Sequence, residues 1–434
     1  MSIGLMSSML IALLFIMLGS GIYIAAGIST VGIVAFEFLV EIPEIISDII
    51  YNSTASYLLA CVPMFMFMGE IILQSGISKR LYDGVSKWTG IIPGSLVHTN
   101  IMSSALFAAV SGTSIASAIT IGKIAYPEQK SRGYNQGLVT GSIAAGGTLG
   151  ILIPPSITMV IYGAFVNASI GQLFLGGIIP GIILAILFMI YIGIRSVITP
   201  SVAEPRQHLT LGYFKGAILA FKYVWPILLI MLTIMGGIYG GIFTPTEAAA
   251  VSAVEALILT AMLGRLNFQL IKRSALGALR TSAMAVFIMI GAKIMASALA
   301  FLQIPGQIAS TLGGLSESTL LIWLGVIILY LILGMLMDGL SLMLLTLPVT
   351  YPLVVNTLGF DPIWFGVLVT ILVECALVTP PVGMIVYIIH SICEGTGLGE
   401  VFIGVMPFFI CMLLIIALLT FYPELVLFLP NQMF

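Results

Sequence analysis

Apolar runs long enough to cross a bilayer recur along this whole chain, and they limit its folds more than any other feature. A spanning helix needs about 20 apolar residues. Such runs fall at 3–28, 58–78, 136–166, 172–194, 222–240, 246–264, 283–303, 363–392 and 401–421. Two further apolar stretches, 94–124 and 320–352, have middles rich in glycine and hydroxyls or carrying an acid. Composition removes the soluble alternative. Only 7% of the residues are Asp, Glu, Lys or Arg, and 60% are hydrophobic; a soluble domain carries roughly 25% charged residues. So little charge cannot cover a water-facing surface. The expectation is an all-α polytopic membrane protein whose outer solvent is the lipid bilayer. The 46 glycines and 20 prolines point to helices that are broken, tightly packed or re-entrant.

A net charge of −2 offers no basic surface for nucleic acid. Cys61, Cys375, Cys393 and Cys411 lie in or beside apolar runs without CxxC spacing, so they read as small buried residues. The apolar N-terminus has no preceding basic residue and no A-x-A site, which favours a retained span. Segment 30–50 carries Glu37, Glu41, Glu44 and Asp48 among Ile, Phe and Val. It reads as an amphipathic helix along the interface, with a second N-terminal span as the other option.

Basic residues then set the orientation. If 94–124 and 320–352 are hairpins that enter and leave on one face, fourteen of the fifteen Lys and Arg share one side. They cluster at Lys79–Lys87, Lys123–Arg132, Arg195–Lys222 and Arg265–Arg280; Lys293 alone lies within a span. The other side keeps acids such as Glu317, Asp361 and Glu424. Positive residues mark the cytoplasm. Spanning hairpins would destroy this segregation, so the charges support re-entrance, a cytoplasmic N-terminus and an external C-terminus.

The chain also repeats itself. Ser111-Gly112-Thr113-Ser114, Tyr126-Pro127, Leu152-Ile153-Pro154-Pro155 and Val160-Ile161-Tyr162 follow one another in the first half. Asp338-Gly339-Leu340-Ser341, Tyr351-Pro352, Val378-Thr379-Pro380-Pro381 and Ile385-Val386-Tyr387 answer them in the second. Gly112 precedes Pro154 by 42 positions and Gly339 precedes Pro380 by 41. Five parts follow: 1–57, an N-terminal span and interfacial helix; 58–195, a repeat with hairpin 94–124 and broken helix 136–166; 196–282, connecting helices and basic loops; 283–422, a repeat with hairpin 320–352 and broken helix 363–392; and an external tail, 423–434. Three spans per unit, with two between, make the repeats inverted. Inverted repeats with discontinuous helices belong to secondary transporters, whose sites lie near the membrane midplane.

The chemistry is expected at the breaks. Helix 136–166 holds Gly141, Gly146, Gly147, Thr148 and Gly150 before Pro154-Pro155-Ser156. Proline has no N–H and clashes with the preceding turn, so upstream carbonyls lose partners. In hydrocarbon a dehydrated Na⁺ is a good substitute, while half-helix N-termini favour an anion. The tip Ser111, Gly112, Thr113 and Ser114 offers hydroxyls and mobile backbone at the same depth. Gly334, Asp338, Gly339 and Ser341 do so in the second unit, and Thr379, Pro380, Pro381 and Gly383 form its break. For any one Ser or Gly, close helix packing explains the residue as well. Asp338 stands out, since a carboxylate inside a span costs roughly 2.5–3.5 kcal/mol on insertion scales. It reads as a Na⁺ ligand or proton carrier, with a hydrated structural cap as the plainer option. Glu70, Glu247, Glu255, Lys293 and Glu374 are weaker intramembrane charges, and Lys293 reads as a structural ion pair with one of those glutamates. Thr244-Pro245-Thr246-Glu247 looks like a capped helix start. His98, His208 and His390 have neither triad nor zinc spacing, and no Walker A run occurs.

Four motifs in order carry a resemblance over nearly the whole chain. They are Ser111–Ala118, Gly146–Ser156, Gly241–Ala249 and Thr379–Gly383. Together they resemble the large membrane subunit of tripartite ATP-independent periplasmic (TRAP) transporters. That resemblance implies a bacterial or archaeal inner-membrane protein importing an organic acid such as a C4-dicarboxylate, keto acid or sugar acid. It implies a Na⁺ gradient as the drive, an extracytoplasmic solute-binding protein, and a separate small four-helix membrane subunit, since no such segment precedes this domain. It further implies an elevator-type transport domain of hairpins and broken helices on a scaffold that includes 222–264. One Na⁺ site would lie between the Ser111–Ser114 tip and Gly146–Gly150. A second would lie between Gly334–Gly339, including Asp338, and Thr379–Gly383. Ser114, Ser117 and Thr148 would meet the substrate.

A stand-alone Na⁺/dicarboxylate symporter of related architecture is the second reading, and transport without a binding protein would favour it. An intramembrane hydrolase is the third; the chain has no Ser/His, HExxH or paired catalytic Asp motif to support it. Asp338→Ala is expected to abolish or strongly weaken Na⁺-driven uptake while membrane insertion persists. Uptake assays that keep their Na⁺ dependence would remove Asp338 from the ion path.

Overall fold

A computed structural model describes residues 3–204, 211–307 and 318–433; Arg206, His208 and Glu317 lie outside them. Every regular element among the described residues is helical. The chain opens with α1 (Ile3–Gly19), α2 (Ile24–Ala35) with a π turn over Phe36–Val40, and α3 (Ile45–Thr54). Next come α4 (Cys61–Ser75) and α5 (Ile77–Thr89). The first hairpin is α6 (Leu96–Ser111) and α7 (Ser114–Ser131), and the first broken helix is α8 (Gln136–Leu152) and α9 (Ile157–Val166). Helix α10 (Ile170–Ile198) closes this unit. Then follow α11 (Leu211–Tyr239), α12 (Pro245–Met262) and α13 (Phe268–Phe301). The second hairpin is α14 (Thr319–Gly334) and α15 (Gly339–Tyr351); the second broken helix is α16 (Pro362–Val378) and α17 (Met384–Ile392). Helices α18 (Leu398–Phe421) and α19 (Glu424–Met433) end the chain.

Local sequence accounts for the helix starts. Asn135 caps α8 and Asn267 caps α13 through their side-chain oxygens. Asp361 accepts from the N–H groups of Ile363 and Trp364 at the head of α16. Thr244 and Glu247 form a reciprocal capping box, with Pro245 opening α12, as that motif predicts. Both Pro-Pro bonds, 154-155 and 380-381, are cis.

Eight helices are long and apolar enough to cross a membrane among the described residues. Helix α1 and each arm of the second broken helix fall below that length. The N-terminus departs from the expected single span over 3–28. Helix α1 stops at Gly19, Gly21 takes φ +78°, and residues 24–28 belong to the next helix. The single amphipathic helix expected over 30–50 is likewise two pieces, parted where Glu41 turns left-handed at φ +61°. The first piece packs tightly, because Gly32 and Gly291 remove the side chains that would separate α2 from α13. The C-terminal tail is a helix whose Val426 is buried beside Gly176 of α10.

Helices α8 and α16 are the buried axes. Every residue from Gly137 to Leu152 is buried, and so is every residue from Ile363 to Val378. Around them, outer helices turn one face to lipid: Ile182, Ile186, Ile190 and Ile194 of α10 are exposed at i,i+4 spacing. The two units interlock. A Cβ on Gly141 of α8 would come within 2.1 Å of the Gly404 carbonyl oxygen of α18, so the backbones touch. Tyr162 Oη donates to the Pro362 carbonyl at 2.7 Å. Within the second unit, Trp364 Nε1 donates to the Leu419 carbonyl at 2.8 Å. Helices α2, α4, α12 and α13 pack together beside this body, with α11 against α5 and α12.

A buried polar knot ties α5, the first hairpin and α8. Gln129 Nε2 donates to Asn100 Oδ1 at 2.7 Å and to Tyr82 Oη at 2.9 Å. Asn100 Nδ2 donates to Ser142 Oγ at 2.8 Å. Asn100→Ala strands these partners in a dry interior, which costs about 1–3 kcal/mol. Thermal unfolding of the purified variant is expected at a clearly lower midpoint; an unchanged midpoint would show that the knot carries no stability.

Candidate functional site

The first hairpin turns at Gly112, whose φ of +61° suits glycine. A Cβ there would also stand 2.9 Å from Ile157 at the head of α9. Thr113 is extended, and α7 restarts at Ser114 with no side chain capping it. This tip lies on α8 where glycines leave room. A Cβ on Gly150 would meet Ser114 Cα and the Thr113 carbonyl oxygen at 2.9 Å, and one on Gly147 would meet Ala118 Cβ at 2.7 Å. Gly146 instead faces Ser104 of α6, so its bare surface serves helix packing.

In the second unit the glycines sit on the hairpin. A Cβ on Gly334 would lie 2.0 Å from Ala376 Cβ, and one on Gly339 would lie 2.6 Å from Val373. The second tip is thus pressed on α16 just before its break. Asp338 is the N-cap of α15: Oδ2 accepts from Ser341 N at 3.2 Å, and Oδ1 accepts from Ser341 Oγ. The plain cap reading of Asp338 therefore holds locally, and Asp338 also reaches the cavity described next. At the break, Thr379 Oγ1 donates to Cys375 O at 2.6 Å, and Gly383 takes φ +52°. Pro380 is half-buried beside it.

A cavity of about 440 Å³ opens between the two tips. Ser111, Gly112, Thr113 and Ser114 line one side and Asp338 and Gly339 another. Thr120 of α7, Ile157 and Thr158 of α9, Glu70 of α4 and Thr281 of α13 complete the polar and turning parts of the wall. Among the described residues, no Lys, Arg or His lines it. Three helices begin at this cavity: α7 at Ser114, α9 at Ile157 and α15 at Gly339. Helix N-termini carry partial positive charge and unpaired N–H groups; here Asp338 caps α15 and Ser156 caps α9, while no side chain caps α7.

Ser117 and Thr148 are not in the cavity wall. Ser117 Oγ bonds Ser111 Oγ at 2.7 Å, and Thr148 Oγ1 donates to Ala145 O of its own helix at 2.7 Å. Thr158, Thr120 and Glu70 join the wall without any motif that marks them in sequence. The expected ion pair of Lys293 is also replaced. Its Nζ donates to the Phe165 carbonyl and lies 4.8 Å from the Phe165 ring centroid. The ion pairs found among the described residues join Arg132 to Glu128 and Glu204. Phe165 is in the last turn of α9, whose carbonyls lack helical partners, so a cation there complements the helix end.

Residues 8–425 match the family model described as "Tripartite ATP-independent periplasmic transporter, DctM component". The chain is 34% identical to a C4-dicarboxylate TRAP transporter large permease protein of Pseudomonas aeruginosa, over 88% of each chain. It is 32% identical to a sialic acid TRAP transporter large permease protein of Vibrio cholerae, over 87% of each. In solved structures it resembles the Alcanivorax borkumensis YdaH transporter, with a TM-score of 0.63 at 14% identity, covering 92% of this chain and 90% of that one. That likeness bears on the fold.

Gly150→Val puts a branched side chain where the Thr113–Ser114 backbone lies. The variant is expected to insert and to lose at least about 90% of transport, because the tip cannot seat. Uptake at the wild-type rate would show that the tip does not need this contact.

Proposed function

The chain belongs to the DctM-component family of tripartite ATP-independent periplasmic transporters, and from that membership and the cavity geometry we propose that it imports an organic carboxylate on a Na⁺ gradient. It is a multi-pass permease subunit rather than an enzyme, as its relatives are. Its partners in this reading are a small four-helix membrane subunit and an extracytoplasmic solute-binding protein that delivers the substrate. Its place is the bacterial inner membrane, with the N-terminus cytoplasmic and the C-terminus periplasmic, as the basic residues favour. The relatives named for C4-dicarboxylate and sialic acid support an anionic organic acid as cargo.

The convergence of the α7 and α9 N-termini on a cavity that no basic side chain lines among the described residues carries the proposal. Each terminus acts as roughly half a positive charge; the Asp338 carboxylate offsets that of α15, so the termini of α7 and α9 are the ones that favour a carboxylate. Ser114, Thr113 and Thr158 add hydroxyls for orientation. The charge balance then calls for sodium. A dicarboxylate moving inward against a negative-inside potential costs about 2.3 kcal/mol per charge per 100 mV. Two Na⁺, one held by each tip and its broken helix, offset that cost. The first site would use Ser111–Ser114 with Gly147 and Gly150, and the second Gly334–Gly339 with Thr379 and Gly383.

An elevator movement suits the packing. The broken helices interlock through Tyr162 on Pro362, and α18 locks onto the first of them where Gly404 meets Gly141. The body beside them, with α4, α12 and α13, meets the cavity mainly through small or apolar residues such as Gly69, Met66 and Ala285. Such a boundary can slide without breaking many polar bonds.

Reconstituted vesicles test the proposal. Uptake of a radiolabelled C4-dicarboxylate or sialic acid is expected only with an inward Na⁺ gradient and a loaded binding protein. Equal uptake with K⁺ in place of Na⁺ would refute the coupling, and uptake without binding protein would indicate a stand-alone symporter.

A further inference from the structure

We propose that Glu374 supplies the negative charge of the cation site at the first hairpin tip, so that this site is built from both repeats. The inference rests on the Na⁺ reading above and adds a residue to it. Glu374 lies on α16, 260 positions from Ser114, and is 1% exposed. Ser114 Oγ donates to Glu374 Oε1, while Oε2 is buried with no hydrogen-bond partner. No Lys, Arg or His forms an ion pair with it among the described residues. Val373, Cys375, Ala376 and Leu377, its neighbours along the helix, are buried and apolar or nearly so.

A buried charge needs a partner of opposite sign, and a carboxylate with one oxygen free is half a ligand set. The rest of that set stands at the tip. Ser114 gives its proton to Glu374, which leaves its oxygen lone pairs for a cation. The tip and the α8 break add neutral hydroxyl and carbonyl oxygens, all hard donors. One carboxylate balances one positive charge, and no group of three or more His, Cys, Asp or Glu among the described residues offers the charge a divalent ion needs. The ligand class is therefore a small monovalent cation with a preference for oxygen, which is Na⁺. A cation here bridges the first tip to α16, whose own break bears Thr379 and Gly383. Filling one site would then steady the element that forms the other, and such coupling acts equally in both directions.

The full chain, purified in detergent, tests this by thermal unfolding in NaCl titrated against choline chloride at constant ionic strength. Wild-type protein is expected to show a saturable rise in melting temperature with Na⁺. Glu374→Gln keeps the size and a hydrogen-bonding group but removes the charge. Its half-saturating Na⁺ concentration is expected to rise about 10–100-fold. In choline alone Glu374→Gln is expected to melt at or above the wild-type temperature, because an uncompensated charge has gone. A purely structural hydrogen bond lowers the melting temperature in choline when weakened but leaves the half-saturating Na⁺ concentration unmoved, so an unchanged half-saturation overturns the inference. If Glu374→Gln does not fold, Glu374→Asp, which withdraws the carboxylate from Ser114, is read in its place: an upward shift supports the site and none overturns it. A wild-type protein with no Na⁺ response refutes the sodium reading itself, and the inference with it.

Discussion

Backbone groups that lose their helical partners inside hydrocarbon must find new ones, and the whole arrangement depends on that demand. Both Pro-Pro breaks create it, at residues 153–156 and 379–383. The breaks cannot face lipid, so α8 and α16 are enclosed on all sides. Hairpin tips are brought against them because only another irregular turn, with its own unpaired groups and small residues, fits that space. The glycines make the approach possible from opposite sides in the two units. Gly147 and Gly150 lie on the broken helix of the first, and Gly334 and Gly339 lie on the hairpin of the second.

Scarcity of charge gives each remaining charge a definite task. Lys293 closes the end of α9 through the Phe165 carbonyl. Asp338 caps α15 through Ser341 and lines the cavity. Glu374 joins the halves through Ser114. Each sits where backbone dipoles or hydroxyls receive it, so none is left to lipid. Acids and helix N-termini line the cavity, and among the described residues no basic side chain does.

Much of this was legible from residues alone. Hairpin turns at Gly112 and near Asp338 follow from glycine and hydroxyls inside apolar stretches, and the breaks follow from the missing N–H of proline. Other features were not legible. Lys293 looked like a partner for a glutamate because pairing by charge is all that sequence offers; the carbonyl it meets belongs to a residue 128 positions away. Ser117 shares a motif with Ser114 and Thr148 lies in the next motif, yet Ser117 turns to Ser111 and Thr148 to the backbone of its own helix. Glu374 resembled every other acid in a span until folding placed Ser114 against it.

Sequence by itself determined the solvent of this protein, its helical class, the positions of its turns and breaks, and the order of its two units. These depend on local properties: hydropathy over about 20 residues, proline geometry and glycine freedom. Only the tertiary structure decided which tip meets which helix, which hydroxyls face the cavity and which acid lacks a counter-charge. Those depend on contacts across hundreds of residues, where packing of close-set backbones, as at Gly141 and Gly404, selects one register among many.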